Sequence, residues 1–329
     1  MAVVNFGTLP GGEAVQKVTI ASDDLRAEVL TYGAIIRDLR LSGYDFPLVL
    51  GLNSIADYIA HSPFFGAIVG RCANRIGQGR FTLDGQTHQL DLAEGARHQL
   101  HGGAKGFSQR NWQLAAYGAD FVTLTLCSPA GEGGYPGTVN ATCTYQLAAR
   151  RIVCTLSATT DAPTVVNLAQ HSYFNLDGRA TIDAHRVQIF SDHMTAIDAE
   201  LIPTGKLKPV TNTMFDFRQM RELGSHVSDH NYCLAAGRYG APQLAARVAT
   251  PAVSMSVFST EPGLQFYTAD HLAIPVDGLD GRRYTPRAGM CLEPQFWPDA
   301  INHAHFPQPV LRPQDTYKQV TRYEFTGRV

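Results

Sequence analysis

The sequence predicts a mostly β protein, a large antiparallel β-sandwich with few short helices, and three observations carry that reading. Period-two alternation recurs along the chain, 30 glycines and 18 prolines interrupt the alternating runs, and helical signals are confined to two short stretches. The first helical stretch is 54–58, Ser-Ile-Ala-Asp-Tyr, worth a turn or two. In Phe81-Thr82-Leu83-Asp84-Gly85-Gln86-Thr87 the Asp-Gly pair predicts a hairpin closed by a type I′ turn, since both residues tolerate positive φ. Strands are expected over 121–126, 152–156 and 253–257. The clearest alternation is at 139–147, where Val139, Ala141, Cys143, Tyr145 and Leu147 share one face and Asn140, Thr142, Thr144 and Gln146 the other. The second helical stretch is 216–220, with Asp216 as its N-cap.

The chain has 329 residues, 44% hydrophobic and 17% charged, with a formal net charge of −2. Such a composition fits a folded protein, and it offers no basic surface for nucleic acid or anionic lipid. No apolar run reaches membrane-spanning length and the first residues do not resemble a leader, so a cytoplasmic protein is expected, as a monomer or homodimer. No linker-like tract or fixed-period repeat divides it, and residues 1–329 are read as a single domain. Cys72, Cys127, Cys143, Cys154, Cys233 and Cys291 are scattered without a CxxC pair and read as reduced, mostly buried side chains. No glycine-rich turn joins a strand to a helix, which disfavours nucleotide cofactors.

Five segments place polar and ionisable groups among aromatics and glycines. They are Gly70-Arg71-Cys72-Ala73-Asn74-Arg75-Ile76, Leu100-His101-Gly102-Gly103, His171-Ser172-Tyr173-Phe174-Asn175-Leu176, Ser228-Asp229-His230-Asn231-Tyr232 and Leu292-Glu293-Pro294-Gln295. In order and spacing the set resembles the galactose mutarotase (aldose 1-epimerase) family over essentially the whole chain. Gly106-Phe107, Gly134-Tyr135-Pro136-Gly137 and Phe296-Trp297-Pro298-Asp299-Ala300-Ile301-Asn302 extend the resemblance. Two departures stand out: Ser108-Gln109-Arg110 where many relatives carry an acidic residue and lysine, and Gln170 where a small polar residue such as Asn is common.

The resemblance implies the family's antiparallel super-sandwich and a cofactor-free, metal-free isomerase that interconverts the α and β anomers of an aldose such as D-galactose or D-glucose. It implies His171, Glu293 and His101 as the catalytic set. The implied sugar contacts are Asn74, Arg75, His101, Ser172, Tyr173, Asp229 and Gln265. Anomer exchange needs a proton taken from the C1 hydroxyl and one given to the ring oxygen, so a base and an acid must act together. Glu293 suits the base, with burial raising its pKa from about 4.3, and His171 the acid, because an unperturbed imidazole titrates near 6.5. Gly102 and Gly103 are expected to let backbone approach the sugar, and Phe266 or Trp297 to stack on its apolar face.

Each residue also has a bland reading. His171 taken alone is a core histidine, Glu293 a buried partner of Arg75 or Arg71, and Gln265 a polar position on an alternating strand; His98, His303 and His305 are surface loop histidines. Two histidines and a carboxylate also make a metal triad by residue type, which would give a metal enzyme. A non-catalytic carbohydrate-binding protein, and a mutarotase for a pentose or 6-deoxyhexose, complete the alternatives.

Overall fold

Alternation in the sequence becomes hydrogen-bonded ladders in the computed structural model, which describes residues 2–93 and 95–327. Along Val139–Ala148 the five apolar positions are buried and the intervening polar ones are exposed or partly so. This strand pairs antiparallel with Phe121–Ser128 and with Arg151–Thr160. The ladder continues through Tyr317–Gly327, Val253–Ser259, Gln243–Ala249 and Arg186–Ile189 in a nine-stranded sheet, with Gln113–Tyr117 and Arg221–Glu222 at its edges. The last strand of the chain thus lies in the middle of the sheet. A four-stranded meander runs from Ala2–Thr8 to Ile35–Leu41. A six-stranded sheet has the order Tyr173–Phe174, Met290–Gln295, Gly263–Tyr267, Asp229–Cys233, His193–Ile197, Pro203–Pro209.

One apolar core joins these sheets. Val18 and Val29 from the meander, Tyr145, Leu156 and Val257 from the large sheet, and Leu264, Phe266 and Leu292 from the six-stranded sheet belong to a single cluster of buried side chains. Each aliphatic removed from water contributes about 1.5–3 kcal/mol, which fixes which face of each strand turns inward. Because Leu264, Phe266 and Leu292 face that core, pleating sends Gln265 and Glu293 to the opposite face. Register then sets Asn231 beside Gln265 and Gln265 beside Glu293, a polar row across three neighbouring strands.

The expected local elements are mostly present. The 81–87 hairpin forms between Arg80–Leu83 and Gln86–Gln89, with Asp84 at φ 50° and Gly85 at φ 80°. The first helix runs Ile55–His61, capped by Ser54, whose Oγ accepts the Asp57 N–H at 3.1 Å. The helix expected at 216–220 is absent. Asp216 instead accepts the backbone N–H of Arg218, two residues on, and pairs with its guanidinium, so its carboxylate stabilises a turn rather than a first helical turn. The cysteines are free; Cys72, Cys143, Cys154 and Cys291 are buried and Cys127 is exposed. No helix among the described residues is long and apolar enough to cross a membrane.

His185, fully buried, accepts the Leu176 N–H on Nε2 at 2.8 Å, a bond that requires that nitrogen to be unprotonated. Burial holds its pKa at about 4, against a partial opposing pull from Asp177. A folded-state pKa below the unfolded one gives stability that is complete above pH 6.5 and is lost as pH falls toward 4. His185 therefore contributes about 2 kcal/mol to the stability lost between pH 7 and pH 5, since each tenfold difference in proton affinity between folded and unfolded chain is worth roughly 1.4 kcal/mol. Urea unfolding of His185→Gln at the two pH values should show a correspondingly smaller loss than the parent.

Candidate active site

Several chain segments converge on a cleft of about 410 Å³ whose lining includes Phe64, Asn74, Arg75, His101, His171, Tyr173, Asp229, Gln265, Tyr267 and Glu293. Its floor is the outer face of the six-stranded sheet. Glu293 stands there on Met290–Gln295, and His171 sits just before Tyr173–Phe174, the strand paired with it. His171 Nε2 lies 3.6 Å from Glu293 Oε2, both side chains almost wholly buried. On the other edge of the ring, His171 Nδ1 is 3.5 Å from Cys291 Sγ. Tyr173 stacks on the imidazole, with centroids 5.2 Å apart and planes at 27°, and Phe64 covers it at 5.6 Å.

His101 approaches from the loop side, 5.2 Å from the His171 ring. Its Nδ1 accepts the Asn74 backbone N–H at 3.1 Å, while its own backbone N–H goes to the Asn74 carbonyl. Asn74 and His101 both adopt left-handed backbone, at φ 60° and 52°, and this exchange of bonds holds them there. Gly102, the first glycine after His101, is required by close backbone packing. A Cβ on Gly102, at φ 85°, would lie 2.0 Å from the Gly70 carbonyl oxygen.

Arg75 and Asp229 face one another across the cleft at 3.8 Å, and Gln265 Nε2 donates to Asp229 Oδ1 at 2.5 Å. Glu293 is paired with neither Arg75 nor Arg71. Arg71 is buried elsewhere, giving its hydrogen bonds to the carbonyls of Ser128, Pro129, Pro136 and Gly137 and to two hydroxyls. The aromatic-Pro-Gly turn of the sequence is thus the socket of this arginine.

Several sequence expectations are corrected. Ser172 does not line the cleft; its Oγ and N–H are both bonded to the Gln170 amide, so Gln170 holds Ser172 inside the protein. Tyr173 lines the cleft, but its hydroxyl donates to the Pro63 carbonyl at 2.9 Å and the ring itself supports His171. Phe266 packs in the main core, and Trp297 donates to the Pro262 carbonyl beside Phe306. The cleft aromatics are Phe64, Tyr173 and Tyr267. Nothing in the sequence singles out Phe64, and from sequence Cys291 is only a buried thiol.

Electrostatics also departs from expectation. Burial lowers the His171 pKa to about 4, so imidazolium is not the resting form at neutral pH. Burial, reinforced by the nearby Asp229 charge and opposed by Arg75, pushes Glu293 well above the carboxylate range. Burial thus favours the uncharged form of both Glu293 and His171.

His101, His171 and Glu293 offer ligand atoms all within 4.8 Å of one another. The hydrogen-bond geometry does not fit a metal. Since His101 Nδ1 accepts the Asn74 N–H, the ring's proton is on Nε2, and that nitrogen has no lone pair to give. Two donors remain, fewer than a facial triad needs.

The family model described as aldose 1-epimerase matches residues 16–324. The chain belongs to the aldose 1-epimerase family. Galactose mutarotase of Rattus norvegicus is 39% identical over 98% of this chain and 97% of its own length. Aldose 1-epimerase of Escherichia coli K12 is 35% identical over 96% of each. Among solved structures, an aldose epimerase homologue from C. elegans superposes with a TM-score of 0.89 at 28% identity, covering 96% of this chain and 100% of the other. Galactose 1-epimerase from Lactobacillus acidophilus gives 0.85 at 24% identity, over 100% of this chain and 99% of the other, in support of the fold. This epimerase-family chain is an isomerase built on the antiparallel super-sandwich.

Proposed function

We propose that this mutarotase interconverts the anomers of an aldohexose, with D-galactose as the reference substrate, through Glu293 and His171. The observation that carries the reading is the pair itself: a buried carboxyl and a buried imidazole 3.6 Å apart on the floor of a sugar-sized cleft. Burial drives both toward their neutral forms, so together they hold one proton, and either group can carry it. With the proton on His171, the Glu293 carboxylate takes the C1 hydroxyl proton while the imidazolium protonates the ring oxygen. The C1–O5 bond breaks and the electron pair of the C1 oxygen forms the aldehyde. Rotation about C1–C2 presents the other face, and closure returns both protons. Each transfer is worth about 10²–10⁴ in rate.

His101, fixed as an Nε2–H donor, supplies a hydrogen bond to the ring oxygen or a neighbouring hydroxyl. Asn74, Arg75, Asp229 and Gln265 orient the hydroxyl groups. A cytoplasmic setting, as a monomer or homodimer, completes the proposal. Asp229→Asn should raise KM about tenfold, the loss of a charged hydrogen bond to a sugar hydroxyl, with kcat changed only a few-fold.

Polarimetry of freshly dissolved α-D-galactose, with α-D-glucose and α-L-arabinose alongside, tests the reading. Relaxation faster than the spontaneous rate, unchanged by chelator, supports it, and the ranking of sugars assigns the substrate. Spontaneous-rate relaxation with every sugar, from folded protein, rejects it in favour of a carbohydrate-binding protein. Loss of activity on chelation would overturn the metal-free chemistry.

A further inference from the structure

We propose that the two cleft histidines are held in opposite tautomers, and that Cys291 is the positioning residue that sets the second, its sulfur accepting a hydrogen bond from His171 Nδ1–H. The inference rests on the proton-transfer reading above but is measurable without a sugar. His101 is decided by its backbone bond: Nδ1 faces the Asn74 N–H at 3.1 Å, so the ring hydrogen is on Nε2 and the residue is a donor into the cleft. His171 presents the reverse arrangement. Its Nε2 faces Glu293 Oε2 at 3.6 Å, and its Nδ1 faces Cys291 Sγ at 3.5 Å.

Cys291 holds that place because of register. It pairs directly with Tyr173 across the ladder, and Tyr173 stacks on the His171 ring, so one cross-strand pair supports both the face and the Nδ1 edge of the imidazole. For a proton to pass between Glu293 and His171, Nε2 must offer a lone pair whenever the carboxyl is protonated. A neutral ring then carries its hydrogen on Nδ1, where it needs a buried acceptor, and the Cys291 sulfur lies within reach of it. A carboxylate at the same place would also fix the tautomer, but its charge would favour imidazolium strongly. A neutral sulfur orients the ring without that bias, leaving the proton free to sit on either member of the pair. Burial keeps the Cys291 thiol protonated, so it remains a neutral acceptor.

The direct test is NMR of ¹⁵N-histidine-labelled protein without sugar at neutral pH, assigning His101 and His171 by single substitution and reading which ring nitrogen carries hydrogen. His101 should be the Nε2–H form and His171 the Nδ1–H form. An Nε2–H form at His171 would overturn the proposal whatever the polarimetry shows. In kinetics, Cys291→Ala should lower kcat about tenfold with KM changed less than twofold, and Cys291→Ser, whose hydroxyl also accepts, should restore most of the loss. Unchanged kcat and tautomer in Cys291→Ala would also overturn it. If Cys291→Ala does not fold, the spectrum of the parent still decides.

Discussion

Replacing Glu293 with glutamine should lower kcat by about 10³-fold while leaving the KM for galactose within a few-fold of the parent. Glutamine keeps the shape of the side chain, and it loses only the ability to take up and return a proton, a capacity worth roughly 10²–10⁴ in rate. The fold should be indifferent to the change. Glu293 makes no ion pair with Arg75 or Arg71, its Oε2 has no hydrogen-bond partner among the described residues, and burial already favours its uncharged form. Polarimetry for kcat, with sugar binding measured separately by calorimetry, checks the expectation. Turnover within tenfold of the parent would remove Glu293 from the mechanism.

Arg71→Met should destabilise the protein by about 3–5 kcal/mol, read as a shift in urea midpoint at constant slope. The guanidinium is buried, with two of its nitrogens spread over four backbone carbonyls and the hydroxyls of Ser128 and Thr164. Removing it takes a donor from each of those carbonyls, although that of Pro129 keeps another, the Glu132 N–H at 3.1 Å; each orphan costs about 1–3 kcal/mol, of which water entry and relief of a desolvated charge recover part. Burial even lowers the arginine's pKa to about 10, a measure of how far this cation is removed from water. Because the segment continues into Asn74 and Arg75, kcat and KM should change less than stability so long as the variant is folded. A variant as stable as the parent would show that the 128–137 turn does not depend on this socket.

Much of this molecule was legible in its residues. Period-two alternation at 139–147 and the Asp84-Gly85 turn determined local structure because pleating and positive φ are properties of a few adjacent residues, independent of what packs on them. The ordered motifs carried a family resemblance that pointed to His171, Glu293, His101, Asn74, Arg75, Asp229 and Gln265 before any distance was known, and all of them line one cleft. Where local preference was weak, the reading failed. Asp216 has the chemistry of a helix cap, but Arg218 claims its carboxylate and the helix does not form.

What only tertiary structure decided is which way side chains turn and which charges survive burial. Ser172 and Tyr173 adjoin His171 in sequence, yet Gln170 binds the first and Pro63 the hydroxyl of the second, bonds set by neighbours that local sequence does not reveal. Cys291 gained its place beside His171 through a strand register that joins residues 120 apart. The low pKa of His171, against the expected imidazolium, has the same origin. A carboxyl and an imidazole have ordinary pKa values written in their chemistry, but the desolvation that raises one and lowers the other depends on how completely the sheets exclude water, which is a property of the packed fold alone.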